Sequence, residues 1–267
     1  PAARLPRRRS QRAQGGRRMN TWLFDLGNTR LKFAPLADDG AIGPVHGSAH
    51  DGGGFDPGWI DALPARIDVA IVASVAGPAL RSILLDALAT RGARVQLAQT
   101  LPALDGLRIA YADPARLGVD RFLALLAAQA DGVSTLVVGV GTALTVDLID
   151  EAGRHLGGRI APSPSLMREA LHRRVAQLPP SGGAYAEFAA DTEDALVSGC
   201  EGAALGLIER SRAEAHARLG AVPRLLLHGG GAAALRTRLP GAHWRSDLVL
   251  HGLARWYRAV GSARREG

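Results

Sequence analysis

The sequence predicts a mixed α/β protein built from two β-sheets that are flanked by helices. Short apolar runs rich in Val, Leu and Ile alternate with longer segments of helical periodicity along the chain. A strand–turn–strand pattern around Gly27 recurs 114 residues later, around Gly141. Three of the apolar runs end in glycine turns, a pattern that favours close approach of the backbone to a ligand.

Each element follows from a local pattern. Short apolar runs predict seven strands, at residues 21–25, 31–35, 69–73, 95–97, 135–140, 144–149 and 224–228. Apolar residues at helical spacing predict five helices, at residues 78–90, 121–130, 165–175, 192–219 and 247–260. Gly77-Pro78 favours the start of the first helix, and residues 52–54 and 179–183 are predicted loops.

The most informative motif is the octapeptide at residues 25–32, which joins the first two predicted strands. Gly27 permits a positive backbone φ and lets main-chain amides approach an anion. Asn28 and Thr29 can donate hydrogen bonds to phosphate oxygens. The motif is therefore typical of a phosphate-binding hairpin.

Two charged residues bracket this turn. Asp25 is placed to hold a hydrated Mg²⁺ ion. Lys32 is the only lysine of the chain, and in so arginine-rich a sequence it suggests a compact point charge near phosphate. An ordinary tight turn with a surface lysine is the alternative that the octapeptide alone leaves open.

The second strand–turn–strand pattern runs from Val137 to Thr142 and continues into the strand that begins at Leu144. Two such phosphate clamps, one in each half of the chain, would face each other across a cleft. A third glycine turn, at residues 229–231, follows a buried strand and precedes a helix. Such a turn lets a base or ribose lie against bare backbone.

The basic charge is confined to one end of the chain. The seven arginines of residues 1–18 account for the whole formal net charge of +7. This segment has no acid and no periodic apolar residues, so it is predicted to be a disordered tail. Met19 is the expected natural start, and a nucleic-acid-binding arm is the less favoured alternative.

Several classes of protein are excluded. No apolar stretch is long enough to predict a membrane-spanning helix. Cys200 is the only cysteine, which excludes an intramolecular disulfide and a cysteine-based zinc cluster. A cytoplasmic protein with no membrane contact is expected.

Taken together, the motifs resemble the type III pantothenate kinases, also described as Bvg accessory factor-like proteins, within the acetate and sugar kinase, Hsp70 and actin superfamily. The matching residues extend from Asn20 to the C-terminus. They are Asp25, Leu26, Gly27, Asn28, Thr29, Lys32, Tyr111, Pro114, Gly118, Val119, Asp120, Arg121, Gly141, Thr142, Ala143, Thr145, Asp147, residues 157–162, Asp191, Thr192, Gly229 and Gly230.

The resemblance implies a two-lobed, actin-like (ribonuclease H-like) duplicated fold with an ATP cleft between the lobes. Residues 19–115 would form the N-terminal lobe and residues 116–267 the C-terminal lobe. It also implies transfer of the γ-phosphoryl group of ATP to the primary hydroxyl of pantothenate. The product, 4'-phosphopantothenate, is the first intermediate of coenzyme A biosynthesis.

Residue roles are carried over from the same resemblance. Asp120 is the implied catalytic base, and Arg121 would lower the pKa of Asp120 or bind substrate. The implied substrate-binding residues are Tyr111, Gly118, Val119, Asp120, Arg121 and Thr192. The implied nucleotide-binding residues are Asp25, Leu26, Gly27, Asn28, Thr29, Arg30, Leu31, Lys32 and Thr142.

Some of these residues also have purely structural interpretations. Asp120 would suit the N-terminus of the helix that follows it, which is compatible with catalysis. Thr192 would suit a helix cap. Asp147 is either structural or faces a metal, with the structural interpretation slightly favoured.

The implied cofactors are ATP and Mg²⁺, with Asp25 holding the metal through water, and a monovalent cation, K⁺ or NH₄⁺. The family usually carries an acid at the position of Gly139 that helps to hold this cation, so the glycine puts the site in doubt. A homodimer is implied, in which Thr192 would serve the pantothenate pocket of the neighbouring subunit.

Two other functions remain open at this stage. Another small-molecule kinase of the superfamily would share both phosphate clamps but carry a different substrate motif. A Bvg accessory factor-like regulatory protein would use the arginine tail without turning over ATP.

Overall fold

The computed structural model describes residues 19–175 and 177–266, with side chains as far as Ser262. The arginine-rich segment 1–18 lies outside these residues. The described chain folds around two five-stranded sheets and a two-stranded hairpin. The strands are β1 (Thr21–Leu26), β2 (Arg30–Leu36), β3 (His46–Ala49), β4 (Val69–Ser74), β5 (Arg94–Leu97), β6 (Ala103–Leu104), β7 (Leu107–Arg108), β8 (Thr135–Val140), β9 (Ala143–Ile149), β10 (His155–Pro162), β11 (Arg224–His228) and β12 (Ala242–Trp244).

The two large sheets have the same topology. The first has the order β3-β2-β1-β4-β5, and the second has the order β10-β9-β8-β11-β12. In each sheet the first two strands of the motif form an antiparallel hairpin, and a parallel strand follows on the other side. The internal repeat in the sequence therefore corresponds to a duplicated sheet.

Six α-helices surround and separate the sheets. They are α1 (Pro78–Ala89), α2 (Val119–Gln129), α3 (Pro164–Arg174), α4 (Thr192–Leu219), α5 (Ala232–Arg236) and α6 (Leu248–Glu266). Helices α2 and α6 pack on each other and lie between the two sheets. The core around them takes Leu23 and Ile71 from the first sheet and Val137 and Leu226 from the second.

All seven predicted strands and all five predicted helices are present, most with ends shifted by one or two residues. The last helix runs further than predicted, to Glu266. Cys200 is buried on α4, as a small core residue should be. The sequence patterns missed β3, β6, β7, β10, β12 and α5, which are short or depend on pairing with a neighbour.

Parallel strands place their carboxyl ends at one edge of a sheet, and in open α/β sheets ligands bind there. The ends of β1, β8 and β11 carry the three glycine turns that the sequence singles out. Among the described residues, no helix has the length and apolar character needed to span a membrane.

Candidate active site

In each of the first two glycine turns, the glycine amide donates to the carbonyl of the first residue of the returning strand. The amide of Gly27 donates to the carbonyl of Arg30 at 2.9 Å, and the amide of Gly141 donates to the carbonyl of Ala143 at 2.9 Å. The side chains of Asn28, Thr29 and Arg30 in the first turn and Thr142 in the second are exposed. The hydroxyl and amide groups are therefore free to meet a ligand.

Gly27 does not use the positive φ that glycine permits, since it is not among the glycines with positive φ. A Cβ on Gly27 would meet only the carbonyl of Arg30, at 3.3 Å. The left-handed glycine lies instead in the third turn, where Gly229 has a φ of 90°. A Cβ there would run into the backbone of Val140, so the third turn needs glycine to pack against the end of β8.

The carboxylates of Asp25 and Asp120 come from different halves of the chain and lie close enough for their charges to interact. Burial, and then the negative charge of Asp120, raises the pKa of Asp25 to about 7, against the opposing charge of Lys32. Burial also raises the pKa of Asp120 above its ordinary value. Two neighbouring carboxyl groups with raised pKa values are typical of a catalytic or metal-binding centre.

Asp120 lies in the first turn of α2, as the structural interpretation expected. Its Oδ1 accepts a hydrogen bond from the amide of Arg121 at 2.8 Å. A Cβ on Gly118 would lie 2.7 Å from the same oxygen, so the glycine leaves room for this conformation of the carboxylate.

Arg121 does not pair with Asp120 through its guanidinium group. The guanidinium forms a two-point ion pair with Asp147, with Nε–Oδ2 and Nη2–Oδ1 distances of 2.9 and 2.6 Å. Its charge acts to lower the pKa of Asp120, as expected, but burial outweighs it and the net shift of that pKa is upward. The guanidinium also approaches the hydroxyl of Tyr111, at 3.4 Å.

Asp147 is the centre of a buried polar network, which agrees with the structural interpretation. Its Oδ1 also contacts Nε2 of His155 at 3.0 Å. Although burial opposes ionisation, the hydrogen bonds from His155 and Arg121 hold the pKa of Asp147 below its ordinary value. The ring of His155 stacks on Tyr111 with 6.0 Å between centroids, so this network fixes the predicted substrate tyrosine.

Lys32 connects the first sheet to the C-terminal part of the chain. Its Nζ donates to the carbonyl of Ser246 at 2.7 Å, just before α6 begins. It faces Asp25 across the β1–β2 pair, where the two residues are partners in register. The positive charge therefore lies beside the carboxylate predicted to hold a metal.

A model of the type III pantothenate kinase family matches residues 22–214. The chain belongs to the type III pantothenate kinase family. Curated relatives with this name support the assignment over nearly their whole length. The protein of Stenotrophomonas maltophilia strain R551-3 is 57% identical over 89% of this chain and 97% of the relative. The protein of Xanthomonas campestris strain B100 is 56% identical over the same shares.

Solved structures of low sequence identity share the fold. One, described as a Baf family transcriptional activator from Campylobacter jejuni, matches with a TM-score of 0.62 at 19% identity, over 90% of this chain and 99% of that one. Another, described as a 2-dehydro-3-deoxygalactonokinase from Sinorhizobium meliloti, matches with a TM-score of 0.57 at 18% identity over the same shares. The predicted two-lobed duplicated fold is confirmed.

Thr192 stands apart from the other family residues in this single chain. It is exposed in the first turn of α4, and the cap of that helix is Asp191, whose side chain accepts from the amide of Asp194 at 3.0 Å. The prediction that Thr192 caps the helix is therefore wrong. Its expected role toward a neighbouring subunit stays a prediction.

The sequence patterns gave no role to His155 or His228. His155 begins β10, a strand that was not predicted, so its partner Asp147 on the adjacent β9 could not be found from spacing. His228 ends β11, one residue before the third glycine turn. Its place at the end of a predicted strand, beside a glycine turn, could have indicated a role for His228.

Proposed function

We propose that this protein transfers the γ-phosphoryl group of ATP to the primary hydroxyl of pantothenate and forms 4'-phosphopantothenate, the first intermediate of coenzyme A biosynthesis. The observation that carries the proposal is that Asp25, just before the first glycine turn, and Asp120, in the first turn of α2, lie close enough for one carboxylate to raise the pKa of the other. Family membership supplies the substrate, because the curated relatives carry the name of this kinase.

Asp120 acts as the general base in this proposal. Its carboxylate would accept the proton of the pantothenate hydroxyl as the oxygen attacks the γ-phosphorus. A raised pKa brings a carboxyl group closer to the operating pH, which favours proton transfer. The Arg121–Asp147 ion pair anchors the first turn of α2 to β9 and so holds Asp120 in place.

The phosphates of ATP would lie among the three glycine turns. Exposed Asn28, Thr29 and Thr142 would donate hydrogen bonds to them, and Lys32 would supply positive charge. The other members of the proposed nucleotide site are Asp25, Leu26, Gly27, Arg30 and Leu31. Leu26 and Leu31 are fully buried and act by fixing the hairpin.

The donor set suits a Mg²⁺ ion that arrives with the nucleotide. No cluster of three or more metal-ligating side chains occurs in the described residues, so an all-protein cage is absent there. Mg²⁺ commonly keeps several waters and binds through one or two carboxylates and the substrate phosphates. Asp25 would hold the hydrated ion, which would neutralise charge on the phosphates.

Pantothenate would bind beside Asp120, in contact with Tyr111, Gly118, Val119 and Arg121. Because Tyr111 is held by Arg121 and His155, its ring is already oriented. Thr192 is exposed in this chain, and the proposal includes a homodimer in which it reaches the neighbouring subunit's site. A cytoplasmic location without membrane or nucleic-acid contact fits this chemistry.

The test is a direct assay of the product. The full chain and a version that begins at Met19 are each incubated with MgATP and pantothenate, and 4'-phosphopantothenate is measured by mass spectrometry. Both should form it at similar kcat/KM, because every residue of the proposed site lies after Met19. A folded protein that forms no product would refute the proposal.

The two alternatives are separated in the same assay. Phosphorylation of a sugar acid in place of pantothenate would indicate another kinase of the superfamily. ATP binding without any phosphoryl transfer would indicate a regulatory protein.

A further inference from the structure

The duplicated sheets allow the two sides of the cleft to be compared position by position. In the first sheet, Asp25 on β1 is in register with Lys32 on β2 and with Ala73 on β4. The carboxylate of the central strand thus enters the cleft beside a small neighbour. Leu23, two residues earlier on the same face, lies in the core between the sheets.

In the second sheet the arrangement is reversed. Gly139 on β8 takes the position of Asp25, with Thr145 and His228 as its partners in register. The central strand has no side chain here, and the large polar group comes from β11. Leu226, two residues before His228 on the same face, belongs to the same inter-sheet core as Leu23.

The imidazole ring of His228 lies against Gly139. A Cβ on Gly139 would lie 2.8 Å from Nε2 and 3.0 Å from Cε1 of His228, and 2.7 Å from Oγ1 of Thr145. Distances under 3.0 Å are essentially never seen for real Cβ atoms, so any side chain at position 139 would displace the ring or the hydroxyl. The absence of a side chain at Gly139 is what allows the histidine to occupy this place.

The ring of His228 is neutral, and its nitrogen atoms are available for hydrogen bonds. Burial, and then the charge of Lys32, lowers the pKa of His228 to about 4, while Asp147 opposes the shift. No residue in the described part of the chain hydrogen-bonds to its ring. A neutral imidazole carries one N–H donor and one acceptor nitrogen. His228 also immediately precedes the Gly229 turn, at the carboxyl end of its strand.

We propose that His228 binds the phosphate chain of the nucleotide by donating a ring N–H to a phosphoryl oxygen. In the second half of the chain, the polar group at this position then comes from His228 on β11. In the first half, it comes from Asp25 on β1. This inference rests on the proposed function for the identity of the ligand, ATP. It assigns a binding role to a residue outside the motifs that carry the family resemblance.

Replacement of the ring tests the contact directly. His228→Ala should raise the KM for MgATP and the Kd for ADP by about 10- to 100-fold, the range expected for one hydrogen bond to a charged group. The KM for pantothenate should stay within about twofold, because the substrate side of the site is untouched. His228→Gln retains an N–H donor and should recover part of the affinity.

His216→Ala is the matched control. His216 is exposed near the end of α4, and its loss should leave both KM values unchanged. Equal nucleotide affinity in His228→Ala and His216→Ala would overturn the proposal.

Gly139→Ala provides an independent variant. Its new methyl group should push the ring aside and weaken nucleotide binding in the wild-type background. In the His228→Ala background the same substitution should cost less, since the ring it displaces is gone and only the contact with Oγ1 of Thr145 remains. Additive losses in this cycle would contradict the proposed ring displacement.

A spectroscopic titration keeps the inference testable even where a variant fails to fold. In the intact protein with labelled histidines, ADP should shift the ring signals of His228 and raise its pKa, because a nearby phosphate favours the protonated form. Ring signals that ignore ADP would refute the contact. A shift in a protein that does not phosphorylate pantothenate would refute the proposed function and retain the nucleotide contact.

Discussion

Asp25 and Asp120 both have raised pKa values, but their positions predict different losses on substitution. Asp120→Asn should lower kcat by about 10²- to 10⁴-fold while nucleotide binding survives, because a general base acts mainly in the transition state. Asp25→Asn should weaken the use of MgATP, because a neutral amide is a poorer partner for a hydrated metal. Steady-state kinetics combined with ADP binding by calorimetry separates the two, and an equal loss of ATP binding would contradict this division.

The pKa of Asp25 predicts how Mg²⁺ activation depends on pH. Its value of about 7 means that the carboxyl group is largely protonated at pH 6 and ionised at pH 8. Because a metal ligand must be deprotonated, the apparent affinity for Mg²⁺ should be about tenfold higher at pH 8 than at pH 6. The measurement is Mg²⁺ activation at both pH values, at fixed ionic strength.

Asp25→Asn is the control for this pH effect, since it should lose the part due to the carboxyl group. The raised pKa of Asp25 also predicts how the stability of the folded protein depends on pH. In metal-free protein, the contribution of protonated Asp25 is fully present below the pKa of the unfolded chain and is lost as the pH rises through about 7. Mg²⁺ affinity that is equal at pH 6 and pH 8 would contradict the prediction.

Gly139 predicts a weak dependence on monovalent cations. A K⁺ ion needs several oxygen ligands, and a glycine supplies neither a carboxylate oxygen nor its compensating charge. Titration of activity with KCl and NH₄Cl, with a large organic cation as the inert replacement, should therefore show little activation. Strong saturable activation would show that other residues build the cation site.

For single residues, the sequence predicted a role where the side chain lies inside a local motif. It predicted none where the role depends on a residue distant in the chain. Asp25, Lys32 and Asp120 follow from strand ends and a helix start. The pairing of Arg121 with Asp147 links residues 26 positions apart in the chain, and no local pattern encodes it.

The link between α2 and β9 determines how firmly the catalytic helix is held. Arg121 and Asp147 are both nearly inaccessible to solvent, with side chains 7% and 3% exposed. Removal of one charge leaves the other buried without its partner, so Asp147→Asn should lower the free energy of unfolding by about 3–5 kcal/mol. Urea unfolding measures this loss, and kcat should fall with it as Asp120 loses its support.

Glu169→Gln is the matched control on α3. Glu169 pairs with Arg173, and both side chains are more than half exposed. Because water replaces such a partner easily, the control should change stability by less than about 1 kcal/mol. Similar losses in the two variants would show that the buried pair does not anchor α2.

The elements themselves were predictable when their own periodicity was strong. Strand β10 was missed because Gly157 and Gly158 interrupt its apolar pattern, and its register shifts between His155 and Gly158. The glycine is required at position 158, where a Cβ would lie 2.6 Å from the carbonyl of Val146 and 2.8 Å from Nη2 of Arg121. Gly158 is required by residues on other elements, so the sequence around it does not indicate a strand.

Across the whole molecule, α6 joins the two halves of the chain. It packs on α2 and on β1, β2 and β4 of the first sheet. Trp256 is buried in this contact, and its Nε1 donates to the carbonyl of Gln99 at 3.1 Å. The last helix therefore belongs to the core between the sheets, and the lobe boundary between residues 115 and 116 stays a prediction.

Trp256→Ala should accordingly destabilise the whole molecule by about 3–5 kcal/mol, because it leaves a large cavity and an unpaired carbonyl. Trp244→Ala offers a matched control, since that side chain is 43% exposed and should lose less than about 1 kcal/mol on truncation. Unfolding followed by circular dichroism compares the two. Equal shifts would mean that α6 is not essential to the core.

The position of α6 also sets the order in which the protein can be completed during translation. The first sheet leaves the ribosome early, but α6, which covers part of its inner face, is encoded far downstream and begins only at Leu248. Until α6 emerges, the core around Leu23 and Ile71 lacks Leu250, Leu253 and the other residues of this helix. The nascent N-terminal half must therefore wait for α6 to emerge, with apolar surface open to chaperones, before its core is complete.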